Sequence, residues 1–170
     1  MPLEPRIEVR AEGDLTEEER RQLSWPWDAF GRDFVWSVPD WRVLVRADGQ
    51  VVSQLAIVER VGRVAGRPVK LGGVGGVIAR PAWRGRGFAS AALRRAAAFM
   101  CQELGVEFGL LLCEEDVAAF YERLGWQAVE GPLTFDQPGG QATWPAAVMV
   151  LPCGEQAWPS GVIDLCGLPW

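Results

Sequence analysis

Val74-Gly75-Gly76-Val77-Ile78-Ala79-Arg80-Pro81-Ala82-Trp83-Arg84-Gly85-Arg86-Gly87-Phe88-Ala89 reads as the end of a strand, a proline turn, a glycine-rich loop and the start of a helix. The glycines let successive backbone amides turn toward one spot. The helix that follows adds unpaired amides and the positive end of its dipole. Together these make a site for a pyrophosphate, with Arg84 and Arg86 as charges at its rim. A Rossmann fingerprint requires G-x-G-x-x-G early in a βαβ unit. Here Ser90 stands where the third glycine would be, and the preceding strands form a meander.

Upstream, residues 41–46 and 51–58 read as strands around an Asp48-Gly49 turn. A second turn near Ala65-Gly66 leads into a strand over residues 69–79. Before them, residues 7–10 read as a short strand, and Thr16 with Glu19 forms a capping box for a helix ending near Leu23. Residues 24–41 read as a loop with one short helix. Downstream, apolar positions Ala89, Ala92, Leu93, Ala96, Ala97, Met100 and Leu104 follow a helical period that Gly105 ends. An apolar strand over 106–113 and a helix over 116–124, closed by Gly125, come next. A turn at Gly131-Pro132 and a strand over 146–151 precede a tail in which residues 162–165 read as a strand or an extended arm.

The chain has 170 residues, a net charge of −5 and no histidine. The length suits one domain over residues 1–170. Without histidine, Ser-His and Cys-His mechanisms are excluded. The acidic balance disfavours nucleic acid and mildly favours a cationic or amine substrate. No run reaches the roughly 20 apolar residues of a membrane span, and the first residues do not read as a secretory signal, so a cytoplasmic location is expected. Cys101, Cys113, Cys153 and Cys166 include no C-x-x-C pair, so no metal site is expected and each reads as a small buried hydrophobe.

Arg84-Gly85-x-Gly87-x-Ala89 between a strand and a long helix, followed by Phe120-Tyr121-Glu122-Arg123-Leu124-Gly125-Trp126, resembles the core of the GNAT N-acetyltransferases over residues 41–126. The resemblance implies an α/β (α+β) fold: a mixed, mostly antiparallel sheet, splayed at a V-shaped cleft and flanked by helices. It also implies acetyl-CoA as cofactor. The pantetheine arm would lie where the strands ending near Ala79 and Cys113 part, along Val77, Ile78 and Ala79. The amides of Arg84, Gly85, Arg86, Gly87, Phe88 and Ala89 would hold the pyrophosphate. Tyr121 would protonate the departing thiolate after direct transfer to a primary amine.

Several residues are also similar to aminoglycoside 2'-N-acetyltransferases: Val74-x-Gly76-Val77, Arg80, Trp83-Arg84-Gly85, Tyr121, Gly125-Trp126, Gly131-Pro132 and Trp170. Trp158-Pro159-Ser160-Gly161-Val162-Ile163-Asp164 and residues 102–106 are similar to nodulation N-acyltransferases. These likenesses imply an aminoglycoside-like or other amino-sugar acceptor, or a longer acyl donor. Where the aminoglycoside enzymes carry a glutamate as base, this chain has Gly75, so Glu114, Glu59 and a carboxylate at Trp170 stand as alternatives. Gly75 also leaves open a catalytically silent acyl-CoA-binding regulatory protein. Trp36, Asp40, Gly75 and Trp170 are the candidate acceptor-binding residues, and a homodimer is an open alternative to a monomer. Of nine tryptophans, Trp25, Trp27, Trp36, Trp41, Trp144, Trp158 and Trp170 read equally as an aromatic acceptor pocket or as padding of the core or of an oligomer contact.

Overall fold

A computed structural model of the protein describes residues 4–24 and 33–170. Of residues 24–41, where one short helix is expected, residues 25–32 lie outside that description, Trp25 and Trp27 among them, and residues 33–40 hold no helix. The meander forms as expected: β1 (Arg6–Ala11), β2 (Trp41–Ala47), β3 (Gln50–Val64) and β4 (Arg67–Ala79) pair antiparallel in sequence. Turns at Asp48-Gly49 and Ala65-Gly66 connect the last three, with positive φ at all four residues. Between β1 and β2, α1 (Glu17–Leu23) starts on the expected capping box: Thr16 Oγ1 accepts from the Glu19 amide at 3.1 Å, and Glu19 accepts from the Thr16 amide at 2.8 Å. Buried Glu19 also accepts from Arg10 and Arg46, which fastens α1 to the first two strands.

From β4 the chain crosses over through α2 (Phe88–Ala98) to β5 (Phe108–Cys113), which lies parallel to β4. The sequence period predicts one helix to Leu104. The structure instead widens into a π-helical stretch over Phe99–Leu104, where the Gly105 amide reaches the Met100 carbonyl. Met100 lies under Gly72: a Cβ there would sit 2.5 Å from its sulfur, so the wider turn seats a long side chain against bare strand backbone.

After β5, a single 3₁₀ turn and α3 (Ala118–Glu122) replace the one continuous helix expected over 116–124. Then come β6 (Gln127–Ala128), β7 (Leu133–Gln137), β8 (Gly140–Thr143), β9 (Ala147–Pro152) and β10 (Ile163–Asp164). β9 pairs with β5, and β6 with β9. β10 bridges the far end of β3 to β7, parallel to the latter, so of the tail residues 162–165 Ile163 and Asp164 form a strand. The sheet is mixed and mostly antiparallel, with helices against it, as the sequence implied. Alternate residues serve two cores: Ile57, Val74 and Leu111 face α2, while Val58, Leu71 and Leu110 face the layer containing Phe135, Leu165 and Trp170.

The cysteine reading needs correction. Cys101 and Cys153 form a disulfide across 52 residues, and Cys166 is exposed, so only Cys113 is a buried thiol. Spacing along the chain could not show this. The antiparallel register that sets Phe108 opposite Pro152 brings the end of the α2 crossover beside the end of β9. Among the described residues, no helix is long and apolar enough to cross a membrane.

Candidate active site

β4 and β5 stay paired only from Leu71↔Phe108 to Val74↔Leu111. Beyond that point β4 is deflected by a bulge: Gln54 faces Ile78 and Ala56 faces Gly75, so the single residue Leu55 stands opposite both Gly76 and Val77. Gly76 takes φ +59°, which suits glycine. β5 meanwhile continues with β9 to Cys113↔Ala147. The sheet therefore opens between the last residues of β4 and β5.

On the opened stretch, Ser53 Oγ donates to the Ile78 carbonyl at 2.8 Å, and the Arg80 amide donates to Val52 at 2.8 Å. By strand alternation the amides and carbonyls of Val77 and Ala79 face the gap instead, where Arg84 Nε donates to the Ala79 carbonyl at 3.3 Å. At the mouth, Gly87 caps α2 at φ +80° and leaves the first-turn amides with no partner inside the helix. A Cβ built on Gly85 or Gly87 meets nothing within 4 Å, so the loop is open on that side. These features fit a pyrophosphate-bearing cofactor: a bare glycine loop, free helix amides and, at its side, Arg84.

The gap widens into a cleft of about 1210 Å³ that takes in Val77, Ile78, Ala79, Arg84, Gly85, Gly87, Phe88 and Ala89. Glu114, Tyr121, Gly75, Trp36 and Trp170 line the same cleft. Three residues singled out in the sequence do not. Arg86 stacks on Trp83 at 4.8 Å from the ring centroid. Asp40 lies in a separate hollow with Glu59 and Lys70, and its carboxylate accepts from the Glu59 amide at 2.8 Å. Glu59 is there too, 3.2 Å from Lys70, and so faces away from the cleft.

Trp170 reaches the cleft because the tail folds back under it. Its Nε1–H donates to the Leu110 carbonyl at 3.0 Å. A Cβ on Gly73 would lie 2.0 Å from its indole, and one on Gly75 would lie 2.5 Å from its main-chain carbonyl carbon. Two residues that the sequence gave no sign of hold this arrangement. Arg60 donates to Leu168 O at 2.7 Å and to Ser37 Oγ at 2.8 Å, and its guanidinium lies 5.2 Å from the Trp170 ring centroid. Ser37 donates through its amide to Pro169 O and through its hydroxyl to Leu168 O. Asp33 and Arg42, also unanticipated, line the cleft.

Tyr121 packs edge-on against Phe120 and Trp126. Burial, with the nearby Cys113 adding to it, pushes its phenol up to about 12. Burial likewise pushes the Cys113 thiol up to about 11, helped by Glu115, Glu114 and Asp116. Both groups are therefore neutral and proton-bearing at neutral pH. Both folded values lie above the ordinary 9.0 and 10.0, so the unfolded chain loses these protons first. The stability they carry is complete below about pH 9 and is lost as pH rises toward 12. Melting temperatures measured from pH 8 upward should fall across that window, and less steeply in Tyr121→Phe. An equally steep fall in the variant would show that Tyr121 is not buried as described.

Residues 17–129 match the family described as "Acetyltransferase (GNAT) domain". No curated protein matches the chain. Among solved structures, a GNAT family N-acetyltransferase (YhbS) from Escherichia coli in complex with CoA is similar at TM-score 0.63 and 17% identity, over 99% of this chain and 98% of that one. An acyl-CoA N-acyltransferase from Pseudomonas aeruginosa is similar at TM-score 0.58 and 19% identity, over 87% of this chain and 99% of that one. A GCN5-related N-acetyltransferase from Kribbella flavida is 26% identical over 51% of this chain, at TM-score 0.46, and is spanned over 22% of its own length.

Proposed function

This chain belongs to the acetyltransferase (GNAT) domain family, whose members use acetyl-CoA, and on that premise we propose that it moves the acetyl group to a primary amine of a small molecule. We read residues 1–170 as one such domain. The observation that carries the proposal is the opening between β4 and β5, with strand backbone of β4 facing it, a glycine loop and helix N-terminus at one end, and Tyr121 lining the same cleft.

Each of the chain's groups then has a task. Val77 and Ala79 pair with the pantetheine amides as a neighbouring strand would. The amides of residues 84–89 and the α2 dipole hold the pyrophosphate. Acetyl-CoA, when bound, supplies a thioester whose carbonyl carbon the amine attacks. The C–N bond forms, the C–S bond breaks, and Tyr121 gives its phenolic proton to the sulfur. The proton shed by the amine passes to Glu114, the cleft carboxylate at the end of β5, or to water. Acceptors of this class run from amino sugars to aryl- and alkylamines, and the donor from acetyl to longer acyl chains. The absence of an acid at Gly75 favours one other reading, a silent acyl-CoA-binding protein. Thiol release from acetyl-CoA in the presence of amines separates the two, because only an active enzyme produces free thiol.

Acetyl-CoA should raise the melting temperature, and Gly87→Val should abolish that rise. Valine at φ +80° is strained, and its branched side chain stands where a pyrophosphate would approach. The quantity to compare is the shift on adding acetyl-CoA, not the melting temperature itself, so the cost of strain cancels. An undiminished shift in the variant would place the pyrophosphate elsewhere.

A further inference from the structure

Carbon makes up most of the acceptor end of the cleft, where Asp33, Ser37 and Arg42 are the polar lining residues. Trp36, Pro39, Val58, Leu112, Trp144 and Trp170 line it. Trp36 packs edge-on against Phe34 at 5.9 Å. Trp144 donates its indole N–H to the Ala147 carbonyl at 3.0 Å, and Trp170 donates its own to Leu110 at 3.0 Å. An indole has one donor and no acceptor. With that donor committed to the protein backbone, the rings of Trp144 and Trp170 offer only carbon to whatever lies in the cleft.

Such a wall suits some amines and not others. A sugar brings many hydroxyls, and each one buried without a partner costs about 1–3 kcal/mol. A polyamine or aminoglycoside brings several cations, which need several carboxylates. The carboxylates lining the cleft among the described residues are Asp33, Glu114 and Asp116, and the last two lie on the Tyr121 side, just after β5. Arg42 also lines the cleft, with its guanidinium paired to Glu12 at 2.7 Å. Arg60, in the neighbouring hollow, places its guanidinium over the Trp170 ring at 5.2 Å, so that π-system is already engaged by a cation and offers little to a second one.

We propose that the acceptor is a primary amine carried on an apolar group, aryl or branched alkyl, with that group against Trp36, Trp144 and Trp170 and the nitrogen directed toward Tyr121. This rests on the acyltransferase reading above and narrows its acceptor class away from amino sugars.

The test uses five amines: 2-phenylethylamine, isoamylamine, glucosamine, kanamycin and spermidine. Initial rates with acetyl-CoA are measured for each, and calorimetry records their binding to protein saturated with CoA. Phenylethylamine and isoamylamine should show kcat/KM roughly tenfold or more above the other three. Trp36→Ala, at a half-buried position, and Trp144→Ala should each raise the phenylethylamine KM roughly tenfold, the loss of one aromatic wall, with acetyl-CoA affinity unchanged. A higher kcat/KM for glucosamine, kanamycin or spermidine would overturn the proposal. So would failure of both apolar amines to bind the CoA-saturated protein. Phenylethylamine binding without turnover keeps the acceptor class and removes the catalytic reading. Failure of CoA itself to bind removes that reading, and binding of the five amines to the free protein then decides the class in the same way.

Discussion

Tyr121→Phe is expected to lower kcat by about 10²–10⁴, the usual loss when one well-placed acid is removed, and to leave acetyl-CoA affinity nearly as it was. The separation follows from what the side chain does in the structure. Its ring is a packing element, edge-on to Phe120 and Trp126, and phenylalanine keeps that packing. Its hydroxyl is the part that phenylalanine lacks. With the phenol pushed up to about 12, the proton is held throughout the neutral range and is available to a thiolate formed beside it. For the same reason, Tyr121 should set no alkaline limb in the pH–rate profile near pH 10, where an ordinary phenol ionises. Full activity of Tyr121→Phe on an accepted amine would reduce Tyr121 to a core aromatic and leave the sulfur to be protonated by water.

Gly73→Ala should destabilise the protein by about 3–5 kcal/mol, on the scale of emptying a buried tryptophan site. For a chain of this size that lowers the melting temperature by on the order of 10 °C. The added methyl would lie 2.0 Å from Cε2 and 2.1 Å from Cδ2 of Trp170. Gly73 is held in mid-sheet, paired to Val58 on one side and Leu110 on the other, so the strand cannot retreat and the indole must leave. Leaving exposes a ring now only 7% accessible and strips the Leu110 carbonyl of its Nε1–H partner. Combining Gly73→Ala with Trp170→Ala gives a sharper check. If the two act through one contact, the double variant should be little less stable than Trp170→Ala alone. Additive losses would show that Gly73 is small for a reason other than Trp170. The acceptor KM should rise with the loss of the ring, while acetyl-CoA binding, which we propose lies on residues 77–89, stays intact.

The sequence by itself determined the elements whose geometry is local. The capping box at Thr16, the turns at residues 48–49 and 65–66, the cap at Gly105 and the loop at residues 84–87 each depend on residues within a few positions of one another. Their dihedral preferences and near-neighbour hydrogen bonds are therefore written in the residue types. The cofactor end of the cleft belongs to this class, since a glycine loop followed by a helix needs nothing distant. So does Tyr121, placed by a short helix closed at Gly125.

Only the tertiary structure decided the acceptor end, the disulfide and the orientation of the candidate carboxylates. Asp40, Glu59 and Glu114 were indistinguishable as exposed acids in the chain, and it is strand register that turns Glu59 toward Lys70 and leaves Glu114 on the cleft. Cys101 and Cys153 meet because β5 pairs with β9. The glycines at 72, 73 and 75 did carry a signal, since glycine inside a strand marks close approach of another group. What approaches was not legible: Met100 on one face and Trp170 on the other arrive from 28 and 97 residues away. Partners brought together across such distances are chosen by packing complementarity between layers, and no local preference of either residue encodes it.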